Sequence, residues 1–182
     1  SLSVRGIIDL DGIIRFIPKL KWHNIDLKSL LEQRYQVPVF IDNDGNLAAS
    51  MEYRLHPQYR ELTVLSITDV ISCGMITNGQ LIRGYLGFAN AVGHHTINME
   101  ETRQCSCGKY GCWEQYCSEQ CLIDEMNLRL ETPISDIDSF IRLVKEQNSE
   151  ALEILDRYIE NLAIGLSNII FFINCEMIIL NS

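Results

Sequence analysis

Between residues 105 and 112 the chain reads Cys-Ser-Cys-Gly-Lys-Tyr-Gly-Cys, and Gly93-His94-His95 stands a short way upstream. Three thiolates and one imidazole make the ligand set of a closed structural zinc site. The glycines at 108 and 111 let the backbone turn its sulfurs inward. A filled site forces this stretch into a tight loop, whereas a reactive dithiol or plain burial of small apolar thiols places no such demand. Zinc is the better reading of a C-x-C-G-x-x-G-C cluster beside a histidine. Neighbouring histidines cannot readily point at one metal together, and the spacing alone leaves His94 and His95 as alternatives.

The remaining composition narrows the setting. Seven cysteines is an odd number, so a complete internal disulfide framework is excluded. The opening SLSVRGIIDLDG lacks the basic, apolar, small-residue succession of a secretion signal, which leads us to expect a cytoplasmic protein. The apolar run Ile169 to Ile173 is far shorter than a membrane span. With 24 acidic against 15 basic residues the net charge is −9, and this stretch should repel nucleic acid rather than grip it. Cys73, Cys117, Cys121 and Cys175 lie in apolar or helical settings and read as inert core thiols, while His23 and His56 read as surface residues.

Along the chain, Val4 to Ile8 and Ile13 to Ile17 predict a hairpin around Asp9-Leu10-Asp11-Gly12. Asp26 to Tyr35 predicts a helix capped by Asp26, and Pro38 closes that unit. Val39-Phe40-Ile41 suits a strand buried on both faces, followed by a helix from about Asn46 to Leu55. Strands are expected at 62–67 and 70–76, with a turn at Asn78-Gly79 and a short return over 80–82. Residues 84–112 read as loop, helices resume at Trp113, and Pro133 breaks them. Ser135 or Asp136 caps a helix to Gln147, and Glu150 to Asn174 is a long amphipathic helix with Leu152, Leu155, Ile159, Leu162, Leu166, Ile169 and Ile173 on its apolar face. Met177 to Leu180 looks like the start of a strand.

Asp42-Asn43-Asp44 follows the strand at 39–41, at the carboxyl end where α/β sheets hold ligands. An amide and carboxylates there can satisfy the hydroxyls of a polyhydroxylated ligand, and Asp44 can take a proton from one of them. The same tripeptide equally reads as an Asx turn that caps the next helix.

Several of these segments together resemble the ROK family of repressors, open reading frames and sugar kinases, over essentially the whole chain. Val39 to Glu52 is similar to the family's strand and N-D-A-N-x-A-A-x-G-E helix. Asn78-Gly79-Gln-Leu-Ile-Arg-Gly84 resembles its N-G-x-L-x-x-G turn, Gly93-His94 its G-H pair, and Cys105 to Glu114 its zinc loop and following glutamate. The resemblance implies a partial actin-like, hexokinase-type α/β fold (ribonuclease H-like) carrying a zinc loop over 93–114. It implies that Asn43, Asp44, His94 and Glu114 hold a sugar, and that His94, Cys105, Cys107 and Cys112 hold a structural zinc. In a kinase member Asp44 would be the catalytic base, with ATP and Mg²⁺ as further cofactors.

Three departures separate this chain from the family's kinases. Their glycine-rich G-x-G-x-G strand turn reads Val70-Ile71-Ser72-Cys73-Gly74 here, so side chains stand where backbone should approach phosphate. The A-G-E-x-G-H segment reads Ala89-Asn90-Ala91-Val92-Gly93-His94, which replaces a sugar-binding glutamate by Ala91. The alanine of N-D-A-N is Gly45, a change expected only to loosen the helix start. A retained sugar side with an eroded phosphate side suggests the sugar-sensing part of a transcriptional regulator without kinase activity. The alternatives are an ATP-dependent, glucokinase-like sugar kinase and a ligand-free scaffold. The expected layout is residues 1–60 as the end of a first lobe and 61–182 as a truncated second lobe. The chain would then be a central segment, with a DNA-binding helix-turn-helix module outside it, and a homodimer is the expected assembly.

Overall fold

The computed structural model describes residues 1–17 and 20–181. It resolves two compact units: residues 1–66, 72–91 and 175–181 form the first, and residues 67–71 and 92–174 the second.

In the first unit β1 (Leu2–Val4) runs parallel to β5 (Ile41–Asn43), with Leu2 opposite Ile41 and Val4 opposite Asn43. Strands β2 (Ile7–Ile8), β3 (Ile14–Ile17) and β4 (Trp22–Ile25) form an antiparallel sheet in that order. The expected hairpin therefore exists, but Val4 leaves it for another sheet and a third strand completes it. Asp9 builds the turn, its Oδ1 accepting the N–H groups of Asp11 and Ile13 at 3.0 and 2.9 Å. Ile8, Ile14, Ile17 and Ile41 close a small apolar core beneath.

Helix α1 (Leu27–Tyr35) has the expected Asp26 cap, whose carboxylate accepts the Ser29 N–H at 3.0 Å. None of its residues is fully buried, so local capping rather than an apolar stripe defines it. The strand after it begins two residues later than expected. Phe40 is 70% exposed and the Val39 N–H is taken by the Glu32 carboxylate, so the apolar run 39–41 is not a strand buried on both faces. Helix α2 (Asp44–Leu55) follows β5 directly, starting at Asp44 instead of Asn46.

A four-stranded sheet has the order β8-β7-β6-β9, with β6 (Leu62–Ile67), β7 (Ile71–Thr77), β8 (Gln80–Leu81) and β9 (Met177–Asn181). β9 realises the strand expected from Met177, parallel to β6 with Val64 opposite Ile179. Leu62, Val64, Ile76 and Ala49 of α2 form the core on this sheet.

The second unit carries a 3₁₀ turn (Val92–His94), the cysteine loop and four helices, α3 (Glu114–Cys117), α4 (Glu119–Asn127), α5 (Ile137–Lys145) and α6 (Ser149–Ile173). The helix expected from Trp113 breaks at Ser118, whose side chain caps α4 by accepting the Cys121 N–H. Asp136 caps α5 as expected, through the Ser139 N–H at 2.8 Å. Leu122, Met126, Phe140, Ala151 and Ile154 pack the helices together. The buried line of α6 runs through Ala151, Ile154, Gly165 and Ile169, while Ile159, expected on the apolar face, is exposed. Trp113 explains this phase: its ring lies where a Cβ on Gly165 would project, and its Nε1 donates to the Asn161 carbonyl at 3.0 Å.

Among the described residues, no helix is long and apolar enough to cross a membrane.

A candidate metal centre and an Asn-Asp turn

The cysteine loop is built by short hydrogen bonds around its glycines. The Cys105 N–H donates to the Lys109 carbonyl and the Gly108 N–H to the Cys105 carbonyl, both at 2.8 Å. Gly108 and Gly111 have φ of +88° and +66°, a region that costs a side chain and suits glycine. Thr96 bridges to Cys112 and Gln104 to Tyr110, which folds the segment back on itself.

This fold gathers His94, Cys105, Cys107 and Cys112, with their ligand atoms all within 4.8 Å of one another. Cys105 Sγ lies 3.6 Å from His94 Nδ1, and Cys107 Sγ 3.6 Å from Cys112 Sγ. A tetrahedral zinc with S and N ligands separates neighbouring ligand atoms by about 3.5–3.8 Å, so donor set and spacing fit that ion. The sulfurs are too far apart for a disulfide, whose bond is about 2.05 Å. Burial first, and the neighbouring thiols second, push the Cys112 thiol well above its ordinary range. Only a cation would make three thiolates stable in one place. His94 offers Nδ1 to the cluster, whereas His95 is exposed and not one of the four.

Residues that the sequence did not single out hold the loop from outside. Lys109 Nζ donates to the His94 carbonyl at 2.9 Å. Glu101 accepts from the Arg103 guanidinium at 3.0 Å and from the Tyr116 hydroxyl at 2.7 Å, and Tyr116 in turn accepts from Asn98. No motif marks these residues; their partners become neighbours only when the loop closes.

Glu114 opens α3, and its Oε2 accepts the Ile71 N–H at 3.1 Å. The carboxylate expected to meet a ligand thus also fixes the first residue of β7.

At the other candidate position, Asn43 is the N-cap of α2. Its Oδ1 accepts the Gly45 N–H at 2.9 Å and the Asn46 N–H at 3.4 Å, and its Nδ2 donates to the Gly6 carbonyl at 2.9 Å. The Asx-turn reading is therefore realised in full. Asp42 is buried, and accepts from Asn46 Nδ2 at 3.0 Å and from Arg83 in an ion pair at 2.6 Å. Asp44, the first residue of the helix, has one oxygen, Oδ1, buried without a hydrogen-bond partner. Burial raises its pKa, while the Ser72 side chain, the Gly45 N–H and the charge of Arg5 pull it back down. The Arg5 Nε lies 3.7 Å from Asp44 Oδ2.

Gly45 does more than loosen a helix start. A Cβ there would come within 2.5 Å of the Cys73 backbone, and one on Gly74 would collide with the Gly45 carbonyl. The first turn of α2 rests directly on β7 because both contact points lack side chains. Three of the other four cysteines behave as core thiols: burial pushes Cys73, Cys117 and Cys121 up to about 12; Cys175 is only partly buried. His23 is exposed, and His56 is part-exposed beside Glu52 at 3.7 Å.

A family model described as "ROK family" matches residues 1–182. The xylose repressor of Bacillus subtilis (strain 168) is 37% identical over 184 residues, which covers 100% of this chain and 47% of the repressor. The glucokinase of Halalkalibacterium halodurans is 31% identical over 121 residues, covering 65% of this chain and 37% of that protein. Among solved structures, a ROK family glucokinase from Streptomyces griseus in complex with glucose and AMPPNP superposes with a TM-score of 0.89 at 23% identity. That superposition covers 98% of this chain and 63% of the other, and it establishes an actin-like, hexokinase-type α/β fold. This chain thus spans about half the length of the repressor it matches.

Proposed function

Because the chain belongs to the ROK family, we propose that it is the sugar-sensing part of a transcriptional regulator, which binds a pentose such as xylose and does not phosphorylate it. The observation that carries this reading is Ser72. It stands on β7 where the family's kinases keep glycine, and its side chain acts on the Asp44 carboxylate, the group a kinase would need as base. With Val70 nearby, the backbone N–H groups of this turn are no longer open to a nucleotide phosphate. The identity to the xylose repressor over the whole chain supports the same choice, and is the ground for taking xylose as the effector to test.

Asn43, Asp44, His94 and Glu114 would hold the effector. Asp44 carries a buried acceptor, Oδ1, that no protein donor engages, whereas Asn43 is committed to capping. His94, Cys105, Cys107 and Cys112 would hold a structural zinc. With four protein ligands the ion has no open position and stiffens the loop that presents Glu114. Nδ1 faces the metal cluster, which leaves His94 Nε2 for a hydroxyl. DNA would be bound by a separate helix-turn-helix module, consistent with the −9 charge here. The regulator would act as a homodimer in the cytoplasm.

Titration calorimetry of the intact protein with D-xylose and D-glucose tests this reading. Saturable xylose binding is expected without nucleotide, and silence toward both sugars overturns it. The identity to a glucokinase keeps one competing reading in view. Sugar-dependent ADP release that disappears in Asp44→Asn would make the protein a kinase.

A further inference from the structure

Arg5 belongs to no motif of the chain, yet it stands beside the one carboxylate that, among the described residues, has a buried oxygen without a partner. Its Nε is 3.7 Å from Asp44 Oδ2, and the two side chains are 52% and 21% exposed. Asp42, two residues earlier, has its own cation in Arg83 at 2.6 Å. The two acids of the turn are thus each matched with a separate arginine, and only Asp44 keeps an oxygen, Oδ1, without a partner. Asp42 has both oxygens engaged, one by the Asn43 and Asn46 donors and the other by Arg83.

We propose that Arg5 is a positioning residue for effector binding: its charge beside Oδ2 holds Asp44 as a carboxylate, so that this side chain can accept a hydrogen bond from a hydroxyl of an uncharged sugar. This rests on the sugar-sensing reading and adds to it the residue that sets the acceptor. A neutral acid would have to donate a proton through one oxygen and would lose the stronger, charge-assisted bond to the sugar. The groups facing Asp44 are Arg5 from the β1–β2 connection, Ser72 from β7 and the Gly45 N–H of its own helix. Burial acts against the charge, and these three act for it. Arg5 is the only full charge among the three. Removing it raises the Asp44 pKa further, so sugar binding is lost from a higher pH as the solution is acidified.

The test compares wild type, Arg5→Ala and Arg5→Lys by xylose titration from pH 7.5 to 4.5, together with a carbon NMR titration of the Asp44 carboxyl without sugar. Arg5→Ala should weaken xylose about threefold to fivefold at pH 7, the range of a half-exposed ion pair. The acid loss of affinity and the Asp44 titration should both move to higher pH, and Arg5→Lys should restore both. An affinity loss with no shift in either pH profile means a merely structural role and overturns the proposal. So does unchanged binding by Arg5→Ala. If the wild type binds no xylose, the sensing reading fails instead, and the carboxyl titration still reports whether Arg5 sets the Asp44 charge.

Discussion

The cysteine loop and the Asn-Asp turn are both compact polar sites, and they are stabilised in opposite ways. The four candidate ligands of the loop fall between residues 94 and 112 and face one another, so the site is closed by its own short segment. At the turn, Asn43 spends its side chain on the backbone of Gly45, Asn46 and Gly6, and Asp42 spends its own on Arg83 and Asn46. One buried oxygen of Asp44 is left without a partner. A metal loop can thus be specified by spacing alone. A polar turn of this kind needs a scaffold, brought from elsewhere in the chain, that satisfies nearly every polar group it contains.

The largest effect should come from breaking the loop at a ligand. Cys107→Ser removes one of four donors, and the apparent free energy of a structural zinc is on the order of 10 kcal/mol. We expect zinc content to fall from about one per chain toward zero, with hydrogen exchange over residues 93–114 rising as it does on chelation. Retention of stoichiometric zinc by this variant would remove the loop from the comparison. Next comes the scaffold of the turn. Gly74→Ala drives a methyl into the Gly45 carbonyl and Ala49, and overpacking of this kind costs about 1–3 kcal/mol. Urea denaturation should show that loss with zinc content unchanged. An unaffected midpoint would mean that α2 does not rest on β7.

How much of each region could be read from sequence follows from the range of its contacts. The Asp26 and Asp136 caps act three residues away, on Ser29 and Ser139, and were legible for that reason. The cysteine loop was legible because its donors are close in sequence and chemically distinctive. The pairing of Val4 with Asn43, and of β9 with β6, depends on chain brought from far away, and no local signal marks it. The apolar periodicity of α6 gave the helix but misplaced its buried line, because Trp113 selects the small residue Gly165 over bulkier neighbours. At the turn, sequence offered Asn43 and Asp44, and Ser72 only as an obstacle to phosphate; Arg5, and the action of Ser72 on Asp44, emerge only once these segments are assembled. Gly45 was misjudged for the same reason. Its role lies in the backbone of Cys73, not in helix propensity.

A smaller change separates the two duties of Asn43. Asn43→Ala loses the cap, worth about 1 kcal/mol, and also leaves the Gly6 carbonyl without its donor. Asn43→Asp keeps an acceptor for the helix N–H groups and loses only the Gly6 link, so its thermal midpoint should fall less. Equal losses in the two variants would show that the tie to Gly6, not the cap, holds the turn.

The smallest expected effect asks whether the loop has any structure of its own without metal. Hydrogen bonds from the Arg103 side chain, then from the Arg103 N–H and the Tyr116 hydroxyl, hold the Glu101 carboxyl down at about 2 against an ordinary 4.5. A carboxylate whose folded pKa lies below its unfolded value contributes stability above about pH 4.5, and that contribution disappears as pH falls toward 2. Zinc release by protonation of its ligands overlays this in the loaded protein, so the comparison belongs to chelated samples. There, Glu101→Gln should lower stability at pH 7 by under about 1 kcal/mol, because Arg103 is half exposed and the pair is screened. The gap between wild type and variant should close as pH falls from 4.5 to 2. If the two chelated proteins melt alike at pH 7, the clamp of Glu101, Arg103 and Tyr116 forms only behind the metal. The loop would then be closed by its ion alone, in full contrast with a turn held by its own hydrogen bonds.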